Sequence, residues 1–144
     1  MKRERVDLLF LHEPIRELVD TDEWLRWTET ERDRVGAMGV AGEAERILPF
    51  VQTASPLATV VQTRDSLARQ EAAPVRAAGC RPHITYGHLA HRDAALRAAA
   101  TLTDTIACWP DTVLLVSTRH VERIRELERA SLMSESRLQV GARA

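Results

Sequence analysis

The chain has 144 residues, of which 44% are hydrophobic, 28% charged and 4% aromatic, with a formal net charge of −1. That length suits one domain with a single core, and 20 basic against 21 acidic residues argue against nucleic-acid binding through overall charge. No apolar run approaches the ~18 residues of a membrane span, no signal-peptide core follows Lys2, and Cys80 and Cys108 are too few and too far apart for a disulfide framework, so a soluble cytoplasmic protein is expected.

Val6-Asp7-Leu8-Leu9-Phe10-Leu11, closed by His12-Glu13-Pro14, predicts a strand buried on both faces. Asp20 with Glu23 three residues on reads as a capping box, and Trp24, Leu25 and Thr28 share a face of the helix that follows. Val35 to Val40 predicts a second strand, weakened by Gly36 and Gly39. Ala44, Ile47, Leu48 and Val51 recur at helical spacing, which predicts a helix over 43–53 disturbed at Pro49. Leu57 to Gln62 predicts a third strand. Residues 65–78 read as a short helix broken at Pro74, His83 to Tyr86 as a fourth strand, and the Ala-rich residues 92–103 as a helix. Thr112 to Val116 is the fifth strand, and Val121, Ile124 and Leu127 form the apolar stripe of a last helix.

The strand centres lie roughly 22 to 30 residues apart, which is the βα repeat of a parallel sheet. Right-handed crossovers would bring all the strand C-termini to one edge. His12, Ala41-Gly42, Gln62, Tyr86-Gly87-His88 and Ser117-Thr118-Arg119 would then share that rim.

Val116-Ser117-Thr118-Arg119-His120, opening the last helix, carries the strongest local signal. Orphan N–H groups and the helix dipole attract phosphate there, two hydroxyls add donors and Arg119 adds a forked cation. An ordinary Ser/Thr cap explains the same residues. His12, at a strand end, suits either a hydrogen-bonded core histidine or a polar group facing a site. His83, His88 and His91 cannot converge from one strand or helix and lack a completing carboxylate or cysteine, so no metal site is expected. His83-Ile84-Thr85 matches half of a two-histidine phosphoesterase signature, which needs two copies. The glycines at 36, 39 and 42 do not fit a dinucleotide fingerprint.

Taken in order, the strand-end motifs resemble the C-terminal part of the aldo/keto reductase family. Arg5-Val6-Asp7-Leu8-Leu9-Phe10-Leu11-His12-Glu13-Pro14 is similar to that family's fourth barrel strand, and Arg34 to Gly42 to its fifth. Val60-Val61-Gln62-Thr63 resembles the sixth, Ile84-Thr85-Tyr86-Gly87-His88-Leu89 the seventh, and Val113 to Ile124 the eighth strand with the helix that grips the cofactor phosphate.

The resemblance implies an α/β fold, a partial (β/α)8 TIM barrel over residues 1–144, with about five parallel strands alternating with helices as units 4 to 8. It also implies NADPH as cofactor and NADPH-dependent reduction of aldehydes or ketones as the family activity. His12 would match the catalytic histidine that orients a small-molecule carbonyl substrate. Gln62 would hold the nicotinamide carboxamide and Tyr86 would stack on the nicotinamide. Ser117, Thr118 and Arg119 would surround the 2′-phosphate of NADP, with Arg123 as a second basic contact. Ala41-Gly42 stands where the family places a polar Ser-Asn pair. The family's aspartate, tyrosine and lysine belong to earlier strands, so the resemblance implies a chain that is catalytically inactive alone. The alternative is a non-catalytic NADP-binding or regulatory/oligomerising subunit. Open sheet edges at 6–12 and 112–116 would favour self-association, with neither membrane nor nucleic acid as a partner.

Overall fold

The structure is a computed structural model that describes residues 5–90 and 98–129. Five strands, β1 (Val6–His12), β2 (Val35–Gly42), β3 (Val60–Arg64), β4 (Ile84–Tyr86) and β5 (Val113–Leu115), form one sheet in sequential order. Every neighbouring pair is parallel. Helices α1 (Thr21–Thr30), α2 (Ala44–Gln52), α3 (Ala73–Ala77) and α4 (Ala98–Cys108) fill the crossovers, and residues 121–129 are helical after β5. Sequential order with crossovers of one hand puts the helices on one face of the sheet, as in consecutive staves of a barrel. The sheet ends at β1 and β5 and is not closed.

Register assigns the two faces, because paired residues of a parallel sheet project the same way. Leu9, Leu11, Met38, Val40, Val61, Thr63 and Thr85 share the helix-bearing face. The core lies there: Val40, Ile47, Phe50, Val61 and Val75 are fully buried, with Ala44 beside them. Each such large apolar chain contributes roughly 1.5–3 kcal/mol by leaving water. Leu8, Phe10, His12, Ala41, Gln62, Ile84, Tyr86 and Leu115 share the opposite face. That face is only half covered, and Val113 and Leu115 on it are exposed.

Local chemistry accounts for most boundaries. The Asp20 carboxylate accepts from the Glu23 backbone N–H at 3.0 Å and starts α1 as its N-cap. Pro49 is tolerated inside α2 with Ile47 and Phe50 buried, and its carbonyl receives both the Thr53 hydroxyl and N–H. The glycines of β2 serve close approach: at Gly39 a side chain would meet the Phe10 ring at 2.7 Å and the Val60 carbonyl. Phe10 therefore lies across the strand where the glycine leaves room.

Several expectations are corrected. β1 is not buried on both faces: Val6, Asp7 and His12 are exposed, because it is an edge strand with a neighbour on one side only. The third strand starts at Val60, since Pro56–Ala58 forms a 3-10 turn begun by Ser55, and Leu57 is buried from that turn. The helix expected over 65–78 shrinks to α3. Asp65 and Ser66 instead accept the N–H groups of Ala72 and Arg69, so these side chains compete with helical pairing. Pro74 then falls in the first turn of α3, which it begins rather than breaks. The Ala-rich helix runs to Cys108, five residues past the expected end, while its expected start and His91 lie outside the described residues. The fifth strand is Val113–Leu115, shorter at both ends than expected. Val121 and Ile124 of the expected stripe are 63% and 55% exposed, so that helix is not buried against the sheet through them.

Candidate functional site at the C-terminal edge of the sheet

The parallel strands bring five strand ends to one rim, and the register orders the side chains along it. His12, Ala41, Gln62, Ile84 and Val113 form one cross-strand row on the open face. Arg64, Tyr86 and Leu115 form the next row toward the rim. His12 and Gln62 are thus on one face, two strand spacings or roughly 10 Å apart. His12 is exposed and Gln62 half-buried.

Beyond the last row, a cleft of about 500 Å³ opens between the ends of β4 and β5. It is lined by the segment from Tyr86 to Ala90 and by Leu115, Val116 and Ser117. Tyr86 and Ser117, two residues expected at a cofactor, therefore both line the cleft. Gly87 makes the turn after β4 with φ +88°, and a side chain there would press on Arg64 at 3.0 Å.

His12 and Gln62 are outside the cleft lining, as are Thr118, Arg119 and Arg123. The loop 117–120 precedes the last helix instead of forming its first turn, since helical structure begins at 121. Thr118 closes that loop by accepting from the His120 N–H at 3.2 Å. The side chain of Arg119 is exposed and Arg123 is half-buried, and among the described residues neither is in an ion pair.

A charged network surrounds the rim. Glu13, with φ +48°, places its carboxylate on the Glu43 backbone N–H at 2.9 Å, where the start of α2 favours negative charge. It serves α2 and forms no dyad with His12. Arg64 reaches Glu43 at 3.5 Å and Glu71 at 3.8 Å, and Ser66 donates to Glu71 at 2.7 Å. Burial first, then the Glu43 and Glu13 carboxylates, push the Tyr86 phenol above its ordinary value against a smaller opposing effect of Arg64. Tyr86 consequently keeps its proton at neutral pH and presents a neutral ring.

His88 is the most enclosed polar group of the cleft, with 3% of its surface exposed. Its Nε2 lies 3.0 Å from the Thr85 hydroxyl, and its Nδ1 is buried without a hydrogen-bond partner. Trp109 packs against the ring at 6.3 Å between centroids. The Arg76 guanidinium in turn covers Trp109 at 4.3 Å and pairs with the fully buried Asp65. Burial holds the imidazole below its ordinary value, outweighing the opposite pull of Asp65, a hydrogen bond to the Thr85 backbone and Glu71, while Arg76 adds to the lowering. His83, by contrast, is structural: its Nδ1 accepts the Val61 N–H at 3.2 Å, which removes the phosphoesterase half-motif. Among the described residues no three His, Cys, Asp or Glu side chains gather as metal ligands, and no helix is long and apolar enough to cross a membrane.

Comparison of the chain with protein-family models, with curated proteins and with solved structures finds no match. The site therefore rests on its own geometry. Reading the sequence placed Tyr86, His88 and Ser117 at the rim, with His88 weighed only as a metal ligand, but did not show the enclosure of His88 or single out Arg64, Glu43 or Glu71. The turn at Gly87 directly after the β4 residues was the available signal for His88, because a glycine there allows the chain to fold back on the strand end.

Proposed function

We propose that the chain binds NADPH across the C-terminal edge of its sheet, in the manner of the cofactor-holding portion of an aldo/keto reductase-like barrel, and does not by itself reduce carbonyls. The observation that carries this reading is the cleft at the ends of β4 and β5, which unites Tyr86 with Ser117. A neutral aromatic ring suits a flat heterocycle, and the Ser117 hydroxyl begins the exposed loop that bears the cation of Arg119. Gln62 stands one row behind Tyr86 on the same face, suited to a carboxamide, and His12 stands in the row of Gln62. Bound NADPH supplies a hydride. The protein's part in this reading is to hold the nucleotide and, through His12, to orient a small carbonyl compound.

General acid catalysis needs a proton donor at the carbonyl oxygen. Tyr86 is the single tyrosine of the chain, and its raised phenol and place in the cleft wall suit stacking rather than proton delivery. Catalysis by this chain alone is therefore not part of the proposal. A second reading, an oligomerising subunit, is favoured by the apolar residues exposed at both sheet edges, Val6 at 46% and Leu115 at 45%.

Fluorescence titration tests the binding reading. NADPH should quench or shift emission saturably, and Arg119→Ala should weaken NADPH about tenfold while changing NADH by less than about twofold. Equal losses for the two nucleotides would remove Arg119 from the 2′-phosphate. Absence of binding at millimolar NADPH would overturn the reading.

A further inference from the structure

The two edges of the sheet leave complementary features uncovered. Inside the sheet, a strand is covered by the helix before it and the helix after it. Val61 of β3 is fully buried in one cluster with Ile47 and Phe50 of α2 and Val75 of α3. Among the described residues β1 has only the following helix, α1. Leu9 is therefore half-buried, although Met38, its partner across β2, is buried. A groove of about 470 Å³ opens at this edge, lined by Leu9 of β1 and by Glu23, Trp24 and Trp27 of α1. The two indoles meet edge to face with centroids 5.6 Å apart, and Trp27 remains exposed.

At the opposite edge β5 pairs with β4 alone, and the last helix (121–129) follows it with no further strand among the described residues. Val121 and Ile124, about one turn apart on that helix, are exposed. Arg123 and Arg125 flank Ile124 in the chain. Among the described residues neither these arginines nor Glu23 of the groove is in an ion pair. One edge has a seat without a helix, and the other a helix without a seat.

We propose that the chain associates head to tail with a second copy. The last helix of one protomer seats Val121 and Ile124 in the groove between β1 and α1 of the other, and β5 of the first pairs in parallel with β1 of the second. This deepens the oligomerising reading above and is independent of nucleotide binding. Parallel addition continues the strand direction, so the junction repeats the arrangement already present between β2 and β3. Apolar burial on the indoles drives the contact, the unpaired backbone of β1 gains partners, and Arg123 and Arg125 meet the carboxylate of Glu23. Such a contact is heterologous, because it joins two different surfaces. Pairing of two β1 edges would instead leave the last helix uncovered and Glu23 without a cation.

Mixing two blocked variants tests this in sedimentation velocity. The wild-type chain should gain mass with concentration. Trp27→Lys, which spoils the groove, and Ile124→Lys, which spoils the helix, should each sediment as monomers. An equimolar mixture should form a complex of twice the monomer mass, since the first variant keeps an intact helix and the second an intact groove. Should Trp27→Lys fail to fold, Glu23→Lys replaces it, at an exposed position, and should weaken association about tenfold. A wild-type chain that associates while the mixture stays monomeric, or while only one of the two variants blocks association, would overturn the head-to-tail contact and leave the oligomerising reading in place. A wild-type chain that stays monomeric at millimolar concentration would overturn both.

Discussion

The centre of the sheet and its flanks are built from similar apolar strands with different outcomes. In the centre, Val40 and Val61 are fully buried under Ile47 and Phe50 of α2 and Val75 of α3. At the flanks, Val6 of β1 and Val113 and Leu115 of β5 remain 45–57% exposed, and α1 buries no residue fully. The centre has strands on both sides and helices above. Each flank strand has one neighbour, and Phe10 finds cover on its face largely by lying over Gly39. Burial here is decided by neighbours and not by the apolarity of the strand itself, and stability should be concentrated in β2, β3, α2 and α3.

Paired substitutions test that contrast. Phe50→Ala should cost about 3–5 kcal/mol in urea unfolding, because it opens a cavity in a fully enclosed site. Leu115→Lys should change stability by less than about 0.5 kcal/mol, as its side chain is half in water already. The same lysine should shift sedimentation toward monomer, since a charge on a sheet edge opposes pairing with another chain. Comparable destabilisation by the two substitutions would erase the distinction between centre and flank.

Acidification acts on a smaller scale, through the border between the two regions, where His88 sits. Its native value lies below the ordinary 6.5, so on acidification the unfolded chain takes up this proton first. With more protons bound to the unfolded state, stability falls as pH drops from about 6.5 toward the lower native value. Urea midpoints at about pH 7.5 and about pH 5.5 should therefore differ more for the wild-type chain than for His88→Gln. An unchanged difference would remove His88 from the acid response.

Much of the fold was legible because backbone preference and burial agreed. The strand centres, the cap at Asp20 and the parallel order all follow from apolar runs and their spacing. Boundaries were misread where side chains claimed the backbone, as Asp65 and Ser66 do before α3, or where a proline opened a turn, as at Pro56. The burial of β1 was misread because edge position is a property of the whole sheet. At the rim, Tyr86 and Ser117 came together as spacing suggested, since strand ends of parallel units must converge. The enclosure of His88 was not legible: it depends on Trp109, 21 positions away in the chain, and on Arg76 and Asp65 behind it.

The most direct test of the central claim is amide-resolved NMR of the isotopically labelled chain during NADPH titration. Binding at the C-terminal edge should move the resonances of Gly87, His88, Leu89, Val116, Ser117 and Arg119, and leave those of α1 unchanged. No shift at millimolar NADPH, or shifts centred on Trp24 and Trp27 of α1, would contradict it.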